Sequence, residues 1–258
     1  MIEAFLAVCS GALVGLLLGL LGGGGSILAV PLLLYVVGVV DPHVAVGTGA
    51  IAVAVSAFVN LALHARGGTV KWPCAIAFAL SGVTGAFFGA RLGQAIDGQK
   101  LLLAFAVAMV GVGVSTLRRP ADAGDPTVYI DKRIAMRLIP TGLFTGFASG
   151  FFGIGGGFLI VPGLMAAANM TMINAIGSSL VAVTAFGAST AISYGIEGLV
   201  AWRIAALFVL GGILGGLLAQ FMGRRIAARK GLLTRLFSGC LFAVAIYMAV
   251  RAIRAGGF

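Results

Sequence analysis

The sequence predicts an all-α polytopic membrane protein of about eight to ten membrane segments, arranged as two homologous, inverted repeats that each contain a glycine-broken hairpin. Three observations predict it: an apolar composition, a repeat that runs through the chain, and two dense glycine clusters at corresponding places. Of 258 residues, 60% are hydrophobic and 9% charged, against about 25% charged in an ordinary soluble domain. Mean hydropathy is +1.14, so apolar runs fill the length and leave no room for a soluble catalytic domain. The 41 glycines follow no Gly-X-Y period, which excludes collagen.

The repeat is read by aligning residues 11–31, GALVGLLLGLLGGGGSILAVP, with residues 142–162, GLFTGFASGFFGIGGGFLIVP, where nine of 21 positions are identical. Beyond the next loop the offset changes from 131 to 130, and Gly47-Thr48 meets Gly177-Ser178, Trp72 meets Trp202 and Gly82 meets Gly212. The first transmembrane repeat is therefore 1–117 and the second 134–258. Between them lies a cytoplasmic linker, 118–133, marked by Pro120, Gly124 and Pro126.

In the first copy the apolar runs are 3–21, 26–40, 43–65, 70–95 and 99–117; in the second they are 134–152, 156–169, 173–196, 199–222 and 231–253. Met1-Ile2-Glu3 has no basic region before its apolar stretch, so the first run reads as a retained helix. The second run of each copy is short, ~14 residues or ~21 Å against a hydrocarbon core of ~30 Å, and reads as a half-helix or a short tilted span. Whether it and the first run together make a net crossing decides the orientation of the copies: a re-entrant hairpin or two full spans gives each copy an odd number of crossings and inverts them, whereas one broken helix gives four and leaves them parallel. An odd count gathers 12 of the 17 Lys and Arg residues on one side with the linker and leaves five on the other. Short cytoplasmic loops collect such residues, which favours inverted copies with both termini outside.

The net charge of +10 lies in the gaps between runs, where it orients helices; no basic face with interleaved aromatics suggests nucleic acid. Cys9, Cys74 and Cys240 are odd in number and inside apolar runs, which predicts neither disulfides nor a metal centre.

Gly11-Gly15-Gly19, Gly142-Gly146-Gly150, Gly85-Gly89-Gly93 and Gly215-Ala219-Gly223 are small-xxx-small faces for close helix packing. The clusters Gly22 to Gly25 and Gly153 to Gly157 are too dense for that and predict helix breaks, since each glycine costs a helix about 1 kcal/mol. Broken backbone is tolerated at membrane depth only under protein or beside a water-filled cavity. A short helix starting near Ser26 or Phe158 would turn free N–H groups toward the break and form an anion site near the membrane centre. Gly22, Gly24, Gly25, Ser26, Gly153, Gly155, Gly156 and Gly157 are accordingly candidate substrate-binding residues.

Polar side chains inside the runs extend the set. Thr48, Ser56 and Asn60 share one helical face, and Ser178 and Ser179 open the matching helix, along which Thr184, Ser189 and Thr190 follow. Thr48, Asn60, Ser178 and Ser179 are the further candidates, although Ser and Thr often satisfy carbonyls of their own helix. Arg91 and Arg203 read as interfacial anchors, and Asp41 and Glu197 as solvated caps. His43 and His64 lie about 21 residues apart at opposite ends of one run, too far to share a metal. No catalytic triad, HExxH or nucleotide-binding loop is present, so neither an enzyme nor a cofactor is predicted.

The segments GLLGGGGSILAVP and GFFGIGGGFLIVP, followed by Gly47-Thr48 and Gly177-Ser178-Ser179, resemble the duplicated signature of the TauE/SafE family. The resemblance implies a multi-pass protein of the bacterial inner membrane that exports sulfite or an organosulfonate. One departure is that Gly49 follows Thr48, so the expected hydroxyl pair is complete only in the second copy. The expectation is a secondary transporter working by alternating access, one repeat rocking against the other. Its partners are a small anionic substrate and the lipid bilayer, with a homo-oligomer left open. A membrane-embedded assembly subunit and a passive anion channel are the alternatives.

Overall fold

The computed structural model describes residues 2–117, 124–125, 128–152 and 157–227, with isolated positions between 235 and 247. Its regular elements are helices, as the composition requires of a chain that must satisfy its backbone within lipid. Helix α1 (Ile2–Leu21) ends where Gly22 takes φ +62, a left-handed conformation in which glycine meets no Cβ penalty. The chain continues as a 3-10 helix (Gly22–Leu28), α2 (Ala29–Leu32) and a π turn (Leu33–Val37).

Although Ile2–Val37 is helical throughout its 36 residues, it is not one straight rod. A methyl group on Gly25 would strike the backbone of Leu17 and Leu18. Seven residues of continuous helix would separate those groups by about 10 Å, so the chain has doubled back at Gly22. The expected break is present as a reversal, but its glycines are themselves helical. No α-helix begins at Ser26, and α2 is only four residues long.

Gly38, at φ +91, closes the return leg. Asp41 then caps α3 (Pro42–Arg66), its carboxylate accepting the His43 N–H at 2.8 Å, with Pro42 in the first helical position. Helices α4 (Trp72–Gln94), α5 (Gly98–Leu117), α6 (Lys132–Phe152), α7 (Gly157–Ala168), α8 (Met172–Ile196) and α9 (Trp202–Ala227) follow. Gly68 and Gly198, 130 residues apart, take φ +68 and +71 in the turns before α4 and α9.

Among the described residues five stretches are long and apolar enough to cross a membrane: Ile2–Val37, Pro42–Arg66, Trp72–Gln94, Met172–Ile196 and Trp202–Met222. Leu103–Val114 and Leu159–Ala168 are shorter apolar helices. The total falls below the eight to ten expected. Helix α6 carries Lys132, Arg133 and Arg137 in its first two turns, and most of the run 231–253 lies outside the described residues.

Close backbone approaches fix the relative directions. Gly11 abuts Phe208, Gly15 abuts Gly212, and Gly19 lies by Ala219, so α1 and α9 are parallel. Gly85, Gly89 and Gly93 abut Leu143, Phe147 and Phe151, so α4 and α6 are parallel too. Helices α3 and α8 instead cross antiparallel, Gly47 meeting Tyr194 while Gly187 meets Ala54. Asn60 and His64 reach Gly15 and Gly19, and Gly212 lies by Ser56, which aligns α3 with α1 and α9. Ser189 reaches Val83 and Gly82 lies by Phe186, which aligns α8 with α4. Two triplets result, α1–α3–α9 and α6–α8–α4, each holding one helix from the other sequence copy. Phe58, Leu80, Phe88, Phe144, Ile192 and Phe221 are exposed around the outside, where lipid would cover them.

The glycine faces set a clear expectation. Gly15→Ala and Gly146→Ala drive a methyl into the Gly212 and Gly82 carbonyls and should each cost about 1–3 kcal/mol. Gly111→Ala, which meets nothing within 4 Å on α5, should be neutral or stabilise by up to about 1 kcal/mol. Thermal unfolding of the purified variants in detergent checks the contrast.

Candidate functional site

The first reversal is buried where the two triplets meet. Gly22 lies against Ile176 and Ser179 at the start of α8, and Gly23 packs on Gly157, the first residue of α7. A side chain at either Gly23 or Gly157 would enter the other's backbone, so the two glycine clusters touch only because both are bare. Gly153, Gly155 and Gly156 lie outside the described residues.

Hydroxyls hold the first cluster in shape. Ser179 Oγ accepts the Gly23 N–H at 2.9 Å and donates to the Ile176 carbonyl at 2.7 Å. Ser26 Oγ donates to the Gly23 carbonyl at 2.8 Å. Gly23 is thus satisfied on both its polar atoms by side chains, which a reversal in low dielectric demands. Gly24 and Gly25 are buried beside it. At the position corresponding to Ser179, the first copy has Gly49, which faces Leu33 and Ala29.

Thr48 and Ser178 do not open their helices as expected but lie in the second turn, because α3 begins at Pro42 and α8 at Met172. Thr48 Oγ1 accepts the Ala201 N–H and Ser178 Oγ the Lys71 N–H, each at 2.9 Å. The preceding glycines have matching work: Gly47 admits the Leu199 carbonyl and Gly177 admits Thr69. Each Gly-hydroxyl pair is a clamp that receives the turn leading into α9 or α4. Asn60 is buried on the inner face of α3, where its Nδ2 donates to the Ser56 carbonyl at 2.9 Å and to the Gly15 carbonyl at 3.5 Å. It lies against Gly19 and Gly216, a side chain wedged between bare backbones.

Asn60 and His64 correspond, at offset 130, to Thr190 and Tyr194 on α8. Those two hydroxyls are buried without a hydrogen-bond partner, as is Ser149 on α6. A hydroxyl buried unpaired costs about 1–3 kcal/mol, so each is a donor in want of an acceptor. Ser149 and Tyr194 were missed in the sequence: a lone serine in an apolar run reads as helix packing, and a tyrosine near a run's end reads as an interfacial anchor. Only the copy-to-copy match with His64 marks Tyr194 as polar by position. Thr184 is self-satisfied, donating to the Leu180 carbonyl at 2.8 Å. Arg91 is exposed, with its guanidinium 5.2 Å from the Phe87 ring.

The linker contact places one end of the bundle. The Asp125 N–H donates to the Asn169 carbonyl at 2.7 Å, next to the start of α8. That end also carries Arg66 and Lys71, because α8 runs antiparallel to α3.

Removing the clamps gives a paired test. Thr48→Val and Ser178→Ala should each lower stability by about 1 kcal/mol, with Gly47→Ala and Gly177→Ala costing more because their methyl groups displace the turn. Thermal unfolding of the four variants measures the order.

Comparison with known proteins agrees on one family. The family profile described as "Sulfite exporter TauE/SafE" matches residues 7–248. A "Probable membrane transporter protein" of Xylella fastidiosa strain Temecula1 is 53% identical over 247 residues, covering 94% of each chain. The "Probable membrane transporter protein YunE" of Bacillus subtilis is 26% identical, covering 86% of this chain and 89% of its own. No solved structure matches. With the profile spanning nearly the whole length and a relative more than half identical across it, the chain belongs to the TauE/SafE family of membrane transporters.

Proposed function

We propose that this chain is a secondary transporter that moves a small sulfur-containing anion, sulfite or an organosulfonate, outward across the bacterial inner membrane by alternating access. The observation that carries the proposal is the contact of two glycine clusters, Gly23 against Gly157, inside a bundle whose nearby α6 and α8 hold the unpartnered hydroxyls Ser149, Thr190 and Tyr194. Backbone amides and hydroxyls bind an oxyanion without a fixed cation, and so release it readily. The substrate class comes from the family's description as sulfite exporters. We assign the anion to Gly22, Gly24, Gly25, Ser26 and Ser179 on one side and Gly153, Gly155, Gly156 and Gly157 on the other. Thr48, Asn60 and Ser178 hold the scaffold around them through bonds to backbone, while Ser26 and Ser179, bonded to Gly23 and Ile176, exchange those bonds for the anion when it binds.

Inverted repeats suit this reading. The antiparallel crossing of α3 and α8, which correspond in the two copies, supports a two-fold axis in the membrane plane, and so does the exchange of α4 and α9 between triplets. That exchange changes the mechanism expected from sequence. Rocking one whole copy against the other would tear α1 from α9 and α4 from α6, whose backbones touch. The moving bodies we propose are the mixed triplets, shifting at the α3–α8 crossing with the glycine reversals as hinges. The linker, docked beside Asn169 at the end that carries Arg66 and Lys71, suits a cytoplasmic face.

The test is ligand-dependent thermal stability against sulfite, sulfate, thiosulfate, sulfoacetate, taurine and simple carboxylates. Binding to the folded state adds about 2.7 kcal/mol at a concentration 100-fold above Kd. A rise selective for sulfur oxyanions, lost in Gly155→Ala and reduced in Tyr194→Phe, is expected. Equal shifts with every anion, or none, would overturn the substrate class.

A further inference from the structure

His64 does work that the anion site does not account for. It is half-buried one turn before the end of α3, with Nε2 2.9 Å from the Gly19 carbonyl and Nδ1 3.0 Å from Thr69 Oγ1. A carbonyl only accepts, so Nε2 carries a hydrogen in every protonation state, and Nδ1 is the nitrogen that gains or loses a proton. Thr69 Oγ1 also lies 3.3 Å from the His64 carbonyl. With His64 neutral, the threonine hydroxyl donates to Nδ1. With His64 protonated, Nδ1 donates to the same oxygen and the hydroxyl hydrogen turns to the carbonyl. Both states keep their hydrogen bonds with no side chain moving.

The location ties this proton to the first reversal. Gly19 is three residues before Gly22, and Thr69 packs against Gly177, two residues before the Ser179 that binds Gly23. Among the described residues the elements packed on α3 bring no carboxylate to this end; Asp125 and Asp131, which share it, belong to the linker and to the start of α6. Glu3 of α1 and Glu197 after α8 lie at the opposite end, as do Asp97 and Lys100 at the start of α5, while α2 and the 3-10 segment carry no charge. Arg66 and Lys71 share the His64 end. The partners of the His64 ring are the Gly19 carbonyl and the Thr69 hydroxyl, neither of them charged, and an anion at the reversal is what would balance a protonated ring.

We infer that His64 binds the proton that travels with the anion, so that each favours the other's binding by the same factor. The inference rests on the transporter reading. The second copy has Tyr194 at the corresponding position, a phenol that stays neutral near physiological pH, so the proton site exists on one side only.

With only two histidines in the chain, a His43→Gln background leaves His64 as the single imidazole. In such protein labelled with 15N-histidine, adding isethionate near neutral pH should move the Nδ1 resonance toward its protonated position and leave Nε2 unmoved. Isethionate does not itself titrate in that range. In proteoliposomes, isethionate efflux should alkalinise the lumen, with a proton-to-anion ratio near one that falls to zero in His64→Gln, whatever rate remains. The glutamine amide replaces Nε2–H toward Gly19 but cannot take up a proton. Should that variant fail to fold, Thr69→Val keeps the imidazole and should alter the pH dependence of efflux while keeping the ratio. Net isethionate efflux without proton movement, or proton movement that persists in His64→Gln, overturns this inference alone. No counterflow of isethionate, sulfite or thiosulfate overturns the transporter reading and this inference with it.

Discussion

Backbone-to-backbone contact is the constraint on which the rest of the structure depends. Lipid offers no hydrophobic gain for pressing two helices together, so association has to come from close packing. Gly11, Gly15 and Gly19 on α1, and Gly142, Gly146 and Gly150 on α6, supply it by bringing carbonyls of α9 and α4 to where a Cβ would otherwise sit. Because α1 docks on α9 and α6 on α4, the N-terminal and C-terminal halves of the chain are interleaved rather than stacked. The α3–α8 crossing is then left as the broad surface on which the two triplets meet.

The reversals depend on the same property at a smaller scale. A chain that doubles back within a bundle must bring its turn against neighbours without side chains to hold them off, and Gly22, Gly23 and Gly25 all do so. The polar atoms this exposes are matched by short hydroxyl side chains, Ser26 from the same segment and Ser179 from the other copy. Charged partners would have fixed an anion permanently or required one of their own.

Periodicity and hydropathy made most of the fold legible. The runs 43–65, 134–152 and 173–196 correspond to Pro42–Arg66, Lys132–Phe152 and Met172–Ile196, because in lipid the length of an apolar stretch is nearly the helix itself. The glycine stripes were read as packing faces, and the Cβ approaches show them packed. What eluded the sequence is contact between distant segments. Gly47-Thr48 and Gly177-Ser178 look like ligand-binding helix starts when seen locally, and become clamps only once the turns at Ala201 and Lys71 are placed on them. The 3-10 geometry of Gly22–Leu28 was equally hidden, since glycine's helix cost forecasts a break and says nothing of the tighter winding that tertiary contacts select. Thr190 stands out in sequence only as one polar residue of several along its run, and Tyr194 as an ordinary run-end residue; burial is what leaves both hydroxyls without partners.

Differences between the copies carry the functional argument furthest. A perfectly symmetric pair would bind its substrate equally from both sides and give no place for a second ion to act on one of them. Here Ser179 stands opposite Gly49 in the copy-to-copy alignment, Asn60 opposite Thr190, and His64 opposite Tyr194. In each pair the group with satisfied polar atoms borders the first reversal: Ser179 binds Gly23, Asn60 binds Gly15 and His64 binds Gly19. The second copy keeps Thr190 and Tyr194 unpaired. The reversal at Gly22 is therefore tied to the scaffold by hydrogen bonds, whereas the hydroxyls of Thr190 and Tyr194 are buried without a partner. The energetic consequence is directional. On the reading proposed above, an anion reaching Thr190 or Tyr194 would gain hydrogen bonds without breaking any, whereas one binding at Gly23 would have to displace Ser179. On that proposed reading, substrate contact and conformational control are divided between two stretches of sequence that align with each other.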